Sequence, residues 1–508
     1  MARREIMEGV TESVPKQKGK SVGNKMFKKC IASIALIFAA CSTLYALENV
    51  SFRIKALGSS LAGIVEDDYT DVLAYPARLS KWKKTTLMGK FGGGDTFNFG
   101  FLRKFGLIGE TSVYRNLDES YSEDIYSYSG LVSKDTRLTE SDSDNEVYNL
   151  MGLIGMDLNN KISIGSNYLY NQDKNSSVYD RNYTNEYISS DQKILYIYKS
   201  RNVDNSGEYS ESHEFAFGLQ YLSGSNKELD VTLTGALKYD KTSSVDKGYH
   251  STDHDPDGDG KTYGGSPIVT PYRQIYDSEN NSLRRLKKKL GGGLQLRYSH
   301  QIGDFSTLRI IAGGNYQPFD IKGNEDFYRE DTNIIGSTTT VTLTQSSSSI
   351  TGNREEINPV GAVGIEKKFG EQILLGIAIR WVGSFVTEDS TKVTVPDSSP
   401  QFKEKDKLRT YQHELSLPIG IELSPLRAID LKFRLGARGK FSWQSTKETI
   451  KNKDTGAIIA DLHSKDYDTD IDYTGGIGFV FKDLQLDIYT TTDFISFSQW
   501  QLQATIRL

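Results

Sequence analysis

Apolar and polar residues alternate with a period of two along most of the chain after about residue 85. In "IDLKFRLG", four apolar residues from Ile429 to Leu435 point one way, and the charged residues between them point the other. The C-terminal "SQWQLQATIRL" alternates in the same way from Trp500 to Leu508. This period predicts half-buried β-strands rather than amphipathic helices.

The alternating arms occur in pairs that are joined by short turns. These turns are predicted at Asn159-Asn160, Ser225-Asn226, Gly303-Asp304, Phe369-Gly370, Ser424-Pro425 and Lys482-Asp483. Successive pairs are separated by long polar segments, which we expect to be loops: 116–145, 172–210, 241–287, 317–355, 387–408 and 444–466. Short turns on one side and long loops on the other are typical of bacterial outer-membrane barrels.

The pattern therefore predicts an all-β protein, a transmembrane antiparallel β-barrel of about 14 strands (range 12–16) over residues 85–508. Backbone amides in hydrocarbon must all find partners, so the strands are expected to close into a ring. An even strand number would place both ends on one side. The amphipathic last strand ends on Leu508, and we expect the barrel-assembly machinery to bind it during biogenesis.

The N-terminal region predicts export. "MFKKCIASIALIFAACSTLYALE" begins at Met26 with two lysines, continues in an apolar run of signal-peptide length, and offers a cleavage site after Ala46. Residues 1–46 are thus interpreted as an extension plus a signal peptide, which directs the protein to the outer membrane. A lipidated Cys41 is the alternative.

Composition excludes several classes of function. The whole chain carries a net charge of −5, and residues 1–46 carry eight Lys/Arg against three Glu, which leaves −10 for the rest. This acidic balance argues against nucleic acid as a partner. Both cysteines, Cys30 and Cys41, precede the expected cleavage site, so the exported chain would have neither disulfides nor thiolate metal sites.

Residues 56–80, "ALGSSLAGIVEDDYTDVLAYPARLS", stand before the first strand. They have a small-residue stretch, then acids, then Tyr75-Pro76-Ala77-Arg78-Leu79. This order resembles the N-terminal region of the FadL-type outer-membrane transport proteins and their PorV-like relatives, where an Asn-Pro-Ala-Gly-Leu element leads into strand one. The chain departs from that element at Tyr75 and Arg78.

The resemblance implies that residues 47–84 form a hatch inside the barrel. The implied hatch residues are Gly58, Gly63, Asp67, Asp68, Tyr75, Pro76 and Ala77. Asp67 and Asp68 would then bond to lumenal Arg or Lys or to backbone amides, because unpaired buried carboxylates are costly. The resemblance also implies a kink in the third strand, at Gly106 or Gly109. A periplasmic lead-in without a hatch function is the alternative.

Two further segments suggest binding sites. "DHDPDGDGK" offers Asp253, Asp255, Asp257 and Asp259 in the order of a calcium loop, without the bidentate Glu at its end. We expect no cofactor other than this loosely bound calcium, with an acidic solvated loop as the alternative. "SLRRLKKKL" offers basic residues to lipopolysaccharide phosphates, or is a solvated strand end. These residues are Arg284, Arg285, Lys287, Lys288 and Lys289.

The chain is not expected to be an enzyme, although an outer-membrane protease or lipase could assemble acid and His pairs across strands. Its six His are scattered and none lies in a nucleophile motif. The resemblance implies passive uptake of small, hydrophobic compounds, with outer-membrane lipid and lipopolysaccharide as surroundings. The alternatives are a PorV-like scaffold that binds proteins and a water-filled porin.

Overall fold

The computed structural model describes residues 51–508 except 93–94, 129–130, 190–193, 225, 254–271, 336, 397–400, 427–429 and 491–499. Seventeen strands in these residues form one antiparallel sheet that closes on itself. The last strand pairs with the first, from Thr86 opposite Arg507 to Phe91 opposite Leu502. The backbone N–H of Leu508 donates to the Thr85 carbonyl at 2.7 Å. The predicted closed barrel is therefore confirmed.

The described residues also contain two α-helices and two 3-10 helices, all before the first strand. They are α1 (Phe52–Ala56), η1 (Ser59–Leu61), α2 (Asp68–Ala74) and η2 (Pro76–Lys81). The strands are β1 (Thr86–Gly92), β2 (Asp95–Leu102), β3 (Phe105–Tyr128), β4 (Leu131–Asp157), β5 (Ile162–Ser189), β6 (Ile194–Leu222), β7 (Lys227–Asp253), β8 (Tyr272–Lys288), β9 (Leu290–Ile302), β10 (Ser306–Ile335), β11 (Thr338–Phe369), β12 (Ile373–Pro396), β13 (Phe402–Leu426), β14 (Asp430–Asn452), β15 (Ile458–Phe481), β16 (Leu484–Thr490) and β17 (Gln501–Arg507). None of these helices is long and apolar enough to cross a membrane.

The ring has sixteen strand positions in the described part of the chain. β8 and β9 both pair with β7 and β10, so they follow one another along one position and are separated only by Lys289. The predicted number of about 14 is thus too low, although sixteen lies within the predicted range. Alternation in β1 is obscured because the apolar Met88 faces inward, on the same face as Lys90, which is buried over the rings of Phe52 and Tyr69.

Most of the predicted turns are confirmed. Strands end and restart around Asn159-Asn160, Gly303-Asp304, Phe369-Gly370 and Lys482-Asp483. Gly370 has a φ of 64°, in the left-handed region that favours glycine. The turn expected at Ser424-Pro425 comes later, since β13 continues to Leu426, which pairs with Leu431.

The six long polar segments predicted as loops are strands over most of their described residues, apart from residues 337, 401 and 453–457. β10 and β11, for example, stay paired without a break from Ser306 opposite Lys367 to Ile335 opposite Thr338. Eleven of the strands have 23–32 residues. Since a tilted strand of about 9–11 residues crosses a bilayer, the wall continues far beyond a membrane. There both faces meet water, so polar residues follow each other without apolar alternation.

The outer face near the short turns is apolar. On β13, Leu415, Leu417 and Ile419 are exposed on the outside of the barrel. The next outward residues on β13 are His413 and Tyr411, and the His413 ring stacks on Trp443 of β14 with 4.6 Å between centroids. An apolar band bordered by aromatic residues is typical of a barrel embedded in lipid.

In the described part of the chain, one side of the wall is formed by short strands. β16, β17, β1 and β2 have only seven or eight residues each. The pairing of β3 with β2 stops at Val113, and the pairing of β15 with β16 stops at Gly475. Among the described residues, the part of β3 after Val113 and the part of β15 before Gly475 have no strand paired to them on this side, and each therefore presents a free edge.

Candidate functional site

Residues 51–82, here called the N-terminal segment, lie inside the barrel. Leu57 packs against Gly436 on β14, and Pro76 packs against Gly218 on β6. These two strands lie seven positions apart in the ring of sixteen. A segment that contacts nearly opposite walls is enclosed by them, and most of its residues are buried.

Local sequence explains how the segment folds. The Ser51 side chain caps α1 by accepting from the Ile54 amide at 3.2 Å, and Asp67 caps α2 by accepting from the Thr70 amide at 2.9 Å. Pro76 starts η2, where its missing N–H has no helical partner to lose. Polar N-caps thus fix where these short helices begin. Helices of five and seven residues are too short for an apolar period to be recognised in the sequence.

Glycines of the wall allow the segment to approach the strands closely. A Cβ at Gly364 of β11 would lie 2.7 Å from Ile64 Cγ2. A Cβ at Gly155 of β4 would lie 2.7 Å from the Ser80 backbone nitrogen. Glycine in a strand often marks the close approach of another backbone, and that is its role at these positions.

Apolar contacts anchor both halves of the segment. One cluster combines the second half with β2–β5, and the other combines the first half with β10–β12. The first contains Tyr69, Val72, Leu73, Leu79, Leu102, Ile108, Met151, Leu153 and Leu169. The second contains Ile54, Leu57, Leu61, Ile64, Val65, Ile311, Ala362, Leu374 and Ala378.

A buried ion-pair network, here called the Asp71 cluster, ties α2 and η2 to the wall. Its members are Asp71, Arg78, Glu228, Asp230 and Arg297. The Arg297 guanidinium lies 2.6 Å from Asp71 and 2.9 Å from Asp230. Arg78 lies 3.3 Å from the same two carboxylates and also pairs with Glu228.

Strand register places the wall half of this cluster. Asp230 of β7 and Arg297 of β9 are directly opposite, so their side chains share the inner face. Both are almost fully buried. Burying charge is costly unless it is paired and hydrogen-bonded. The wall residues pair with each other, and Asp71 and Arg78 of the segment add further partners to the network.

Tyr75 covers the same cluster. Its ring lies 4.1 Å from the Arg297 guanidinium, and its hydroxyl accepts from the Gln295 amide at 3.1 Å. Burial raises the pKa of the Tyr75 hydroxyl, so the ring stays neutral beside the carboxylates. The two departures from the Asn-Pro-Ala-Gly-Leu element, Tyr75 and Arg78, are thus both partners of this cluster.

A second ion pair holds the bend between η1 and α2. Arg309 of β10 lies 2.7 Å from Glu366 of β11 and also donates to the Ile64 carbonyl. Glu366 in turn accepts from the Glu66 backbone N–H at 2.8 Å. Carbonyl and amide groups that an irregular segment would otherwise leave unsatisfied in the interior are therefore bonded to the wall.

A third network holds α1. Arg53 lies 2.9 Å from Glu422, which Arg434 also contacts at 2.7 Å. Arg434 reaches Asp487 at 2.5 Å. Burial lowers the pKa of Arg53, but the nearby Glu422 carboxylate outweighs this and keeps that pKa above its usual range. Arg53 therefore stays charged.

Farther from the short turns, the inner face carries a buried apolar cluster, here called the lumenal patch. It consists of Leu286, Phe319, Ile321 and the partly buried Ile350. Phe319 is eight residues along β10 from Ile311, which touches the segment at Gly63. At about 3.3 Å per residue, the patch lies roughly 26 Å along the strand from that contact.

The implied hatch residues all lie in the N-terminal segment. Gly58 and Gly63 have φ angles of 95° and 76°, which other residues rarely adopt. Asp67 bonds to a backbone amide as expected, through the α2 cap. Asp68 is exposed, whereas Asp71, three residues later, pairs with the wall. A hatch function for these residues remains a proposal.

Gly106 and Gly109 lie near the start of β3. Pairing with β2 and β4 passes through both residues without a shift in register. A Cβ at Gly109 would lie 2.9 Å from Phe99 Cζ, and one at Gly106 would lie 3.2 Å from the Phe101 carbonyl oxygen. Close packing by β2 thus accounts for both glycines, and the kink stays a prediction.

Of the expected calcium ligands, only Asp253, the last residue of β7, is described; Asp255, Asp257 and Asp259 lie outside the described residues. The basic residues of "SLRRLKKKL" do not share one surface. Arg284 faces the lumen and pairs with Glu388, while Lys289 pairs with Asp320 at 2.6 Å. The side chains of Arg285 and Lys287 are exposed.

The sequence reasoning missed the residues that tie the segment to the wall. These are Arg53, Glu66, Asp71 and Arg78 of the segment, with Asp230, Arg297, Arg309, Glu366, Glu422, Arg434 and Asp487 of the strands. The alternation along the strands could have placed Asp230 and Arg297 on the inner face, because they lie on the face opposite the exposed apolar residues. The pairing itself requires the three-dimensional register.

No family model matches the chain, and no curated protein matches it. Among solved structures, the chain is similar to the Pseudomonas putida toluene transporter TodX (11% identity, 92% of this chain and 98% of that chain covered, TM-score 0.30). It is also similar to the deltaS2 mutant of the TodX monoaromatic hydrocarbon channel (11%, 91% and 98%, 0.32) and to a Pseudomonas aeruginosa FadL homologue (9%, 89% and 96%, 0.24).

One of these structures is a homologue of FadL, whose family residues 56–80 resemble. Their TM-scores are low, so the barrel is assigned from the strand pairing of this chain rather than from the likeness.

Proposed function

We propose that the protein is an outer-membrane channel for passive uptake of small hydrophobic compounds, with the N-terminal segment as its hatch. The observation that carries the proposal is that the enclosed N-terminal segment and the apolar lumenal patch lie along the same lumen. A hydrophobic compound that enters between these buried side chains would exchange water for apolar contact. The segment stands between that place and the short turns, which face the periplasm in barrels of this class.

The mechanism follows from this arrangement. A compound enters from the outer end of the wall and binds at the lumenal patch, where burial of apolar surface favours it. It leaves toward the periplasm when the segment shifts against the wall. No energy source is needed, because the compound moves down its concentration gradient.

Uptake by cells that express the protein tests the proposal, with a long-chain fatty acid and toluene as probes. Ile350→Asn places an amide in the lumenal patch and is expected to lower uptake about tenfold, through lost apolar contact. Val341→Asn is the matched control, because Val341 lies outward on the same strand and is 56% exposed. Equal uptake by cells with and without the protein would contradict transport.

A PorV-like scaffold is the second candidate, and the free edges of β3 and β15 in the described residues favour it. An extended peptide can add to such an edge through main-chain hydrogen bonds. The scaffold would replace the channel as the proposal if purified protein gave no uptake in liposomes and retained a protein partner that pairs with these edges.

A further inference from the structure

A shallow groove on the outer face of β13 and β14 is lined by basic side chains. This surface, here called the basic groove, has a volume of about 260 Å³. It is lined by Lys405, Lys407, Arg409, Lys447, Thr449 and Lys451. The side chains of Lys407 and Lys447 are 50% and 57% exposed, so the charges are available to a ligand.

The order of outward residues places this groove just beyond the apolar band. Every second residue of β13 points outward, and the series runs through the exposed Leu415, then His413 and Tyr411, then Arg409. β14 repeats it with Phe441 and Trp443 before Lys447. The groove therefore begins where the aromatic border of the band ends.

In the basic groove, positively charged residues of β13 lie directly opposite positively charged residues of β14. Arg409 is directly opposite Lys447, and Lys405 is directly opposite Lys451. Like charges at such positions destabilise a sheet. These two like-charge pairs share one face and are separated only by Lys407 opposite Thr449, which indicates that an anion from outside the chain supplies the balancing charge.

The carboxylates nearby are too few to supply it. Asp389 lies 3.2 Å from Lys405 and 3.4 Å from Lys407, and Asp461 lies 3.8 Å from Lys447. The five basic residues of the groove thus meet two carboxylates among the ion pairs of the described residues. The groove keeps an excess of positive charge.

We infer that the basic groove binds the phosphate groups of lipid A in the outer leaflet. Lysine and arginine bind phosphate through charge-assisted hydrogen bonds. Arg409 to Lys405 lie two to six residues beyond Tyr411, which after strand tilt is a height of about 5–15 Å above the aromatic border. Lipid A carries its phosphates on sugars at that height, directly above its acyl chains.

This inference rests on the outer-membrane location in the proposed function but not on transport. It also differs from the interpretation of "SLRRLKKKL", whose Arg284 is paired inside the lumen. The groove lies on strands β13 and β14, which are separate from that segment in the ring.

Binding of bisphosphorylated lipid A to the purified full chain in detergent tests the inference. The variant Lys405→Gln/Arg409→Gln/Lys447→Gln/Lys451→Gln removes four exposed charges. Each basic residue near an anionic lipid surface contributes about fivefold, so the variant is expected to bind at least about tenfold more weakly. Lipid A without phosphates should bind both proteins equally.

Lys174→Gln/Lys199→Gln/Lys241→Gln/Lys247→Gln is the matched control, because it removes four outward lysines from β5–β7 and leaves the groove intact. It should bind lipid A like the wild type. Equal binding by the groove variant, or an equal loss in the control, would overturn the inference. Displacement of lipid A by inorganic phosphate at the same phosphate concentration would overturn the assignment to lipid.

Discussion

At the scale of single residues, the central feature is a buried network of ion pairs that joins the two parts of the chain. Asp230 and Arg297 belong to the wall, whereas Asp71 and Arg78 belong to the N-terminal segment. Removing one partner of a buried pair leaves the other charge uncompensated. The position of the segment is therefore coupled to the identity of a few side chains.

Asp71→Asn should loosen the segment. Arg297 would keep Asp230 but lose the carboxylate at 2.6 Å. The expected cost for the seated segment is about 3 kcal/mol, or roughly a hundredfold faster amide hydrogen exchange over residues 52–81. Asp68→Asn, on the same helix but exposed, is the control and should leave exchange unchanged. Equal hydrogen exchange in both variants would contradict the claim that the Asp71 cluster holds the segment in place.

The same residues show what the sequence could not reveal. The resemblance drew attention to Asp67 and Asp68, but one caps a helix and the other faces solvent. Asp71 reaches Arg297 because it lies one turn after the Asp67 cap on α2. A helix of seven residues is too short for its buried side to emerge as a period.

At the scale of elements, the contact between strand glycines and the segment is the feature that can be tested most simply. Gly165→Ala on β5 would place a Cβ 2.7 Å from the Ala77 backbone nitrogen. Overpacking of this kind costs about 1–3 kcal/mol, so hydrogen exchange of η2 should rise about five- to a hundredfold.

Gly152→Ala on β4 is its matched control, since no atom lies within 4 Å of a Cβ at that position. Both variants should retain the closed barrel. Similar exchange of η2 in the two variants would show that close approach to the wall does not hold the segment.

The polar segments that were expected to be loops show why the period of apolar residues does not predict every strand. Alternation arises only where one face of a strand is apolar. Beyond the membrane the strands meet water on both faces, so polar residues can occupy successive positions, as in Ser346–Ser349. Hydrogen bonds between strands, which a sequence does not display, hold these elements together.

Cysteine pairs test whether β3 and β4 continue through residues 116–145. Ser120 and Thr139 are directly opposite. Residues so placed are within disulfide distance, so Ser120→Cys/Thr139→Cys should oxidise spontaneously and completely. Ser120→Cys/Thr136→Cys, which puts the thiols out of register on opposite faces, should stay reduced. Oxidation of both pairs at the same rate would indicate a loop.

At the scale of the whole molecule, the sequence predicted the class of fold because closure is enforced by backbone chemistry. Alternating arms, short turns and an amphipathic last strand all indicated a barrel, and the pairing of β1 with β17 closes it. One of the two strand positions missing from the predicted number is β1, whose alternation is obscured by the inward-facing Met88. The resemblance pointed to residues inside the barrel, but the ion pairs that hold them could come only from the fold.

A ring of sixteen strands is wide enough to leave a water-filled channel. The account therefore depends on the N-terminal segment, which fills the part of the lumen near the short turns and is tied there by three ion-pair networks. A water-filled porin and a hatch-closed channel would have the same wall and differ only in this occupancy.

Single-channel conductance of the purified full chain in planar lipid bilayers measures this difference directly. The account predicts a wild type that is closed to ions and an Asp71→Asn variant that opens in brief steps. A large, steady conductance of the wild type, equal to that of the variant, would contradict the claim that the segment closes the barrel.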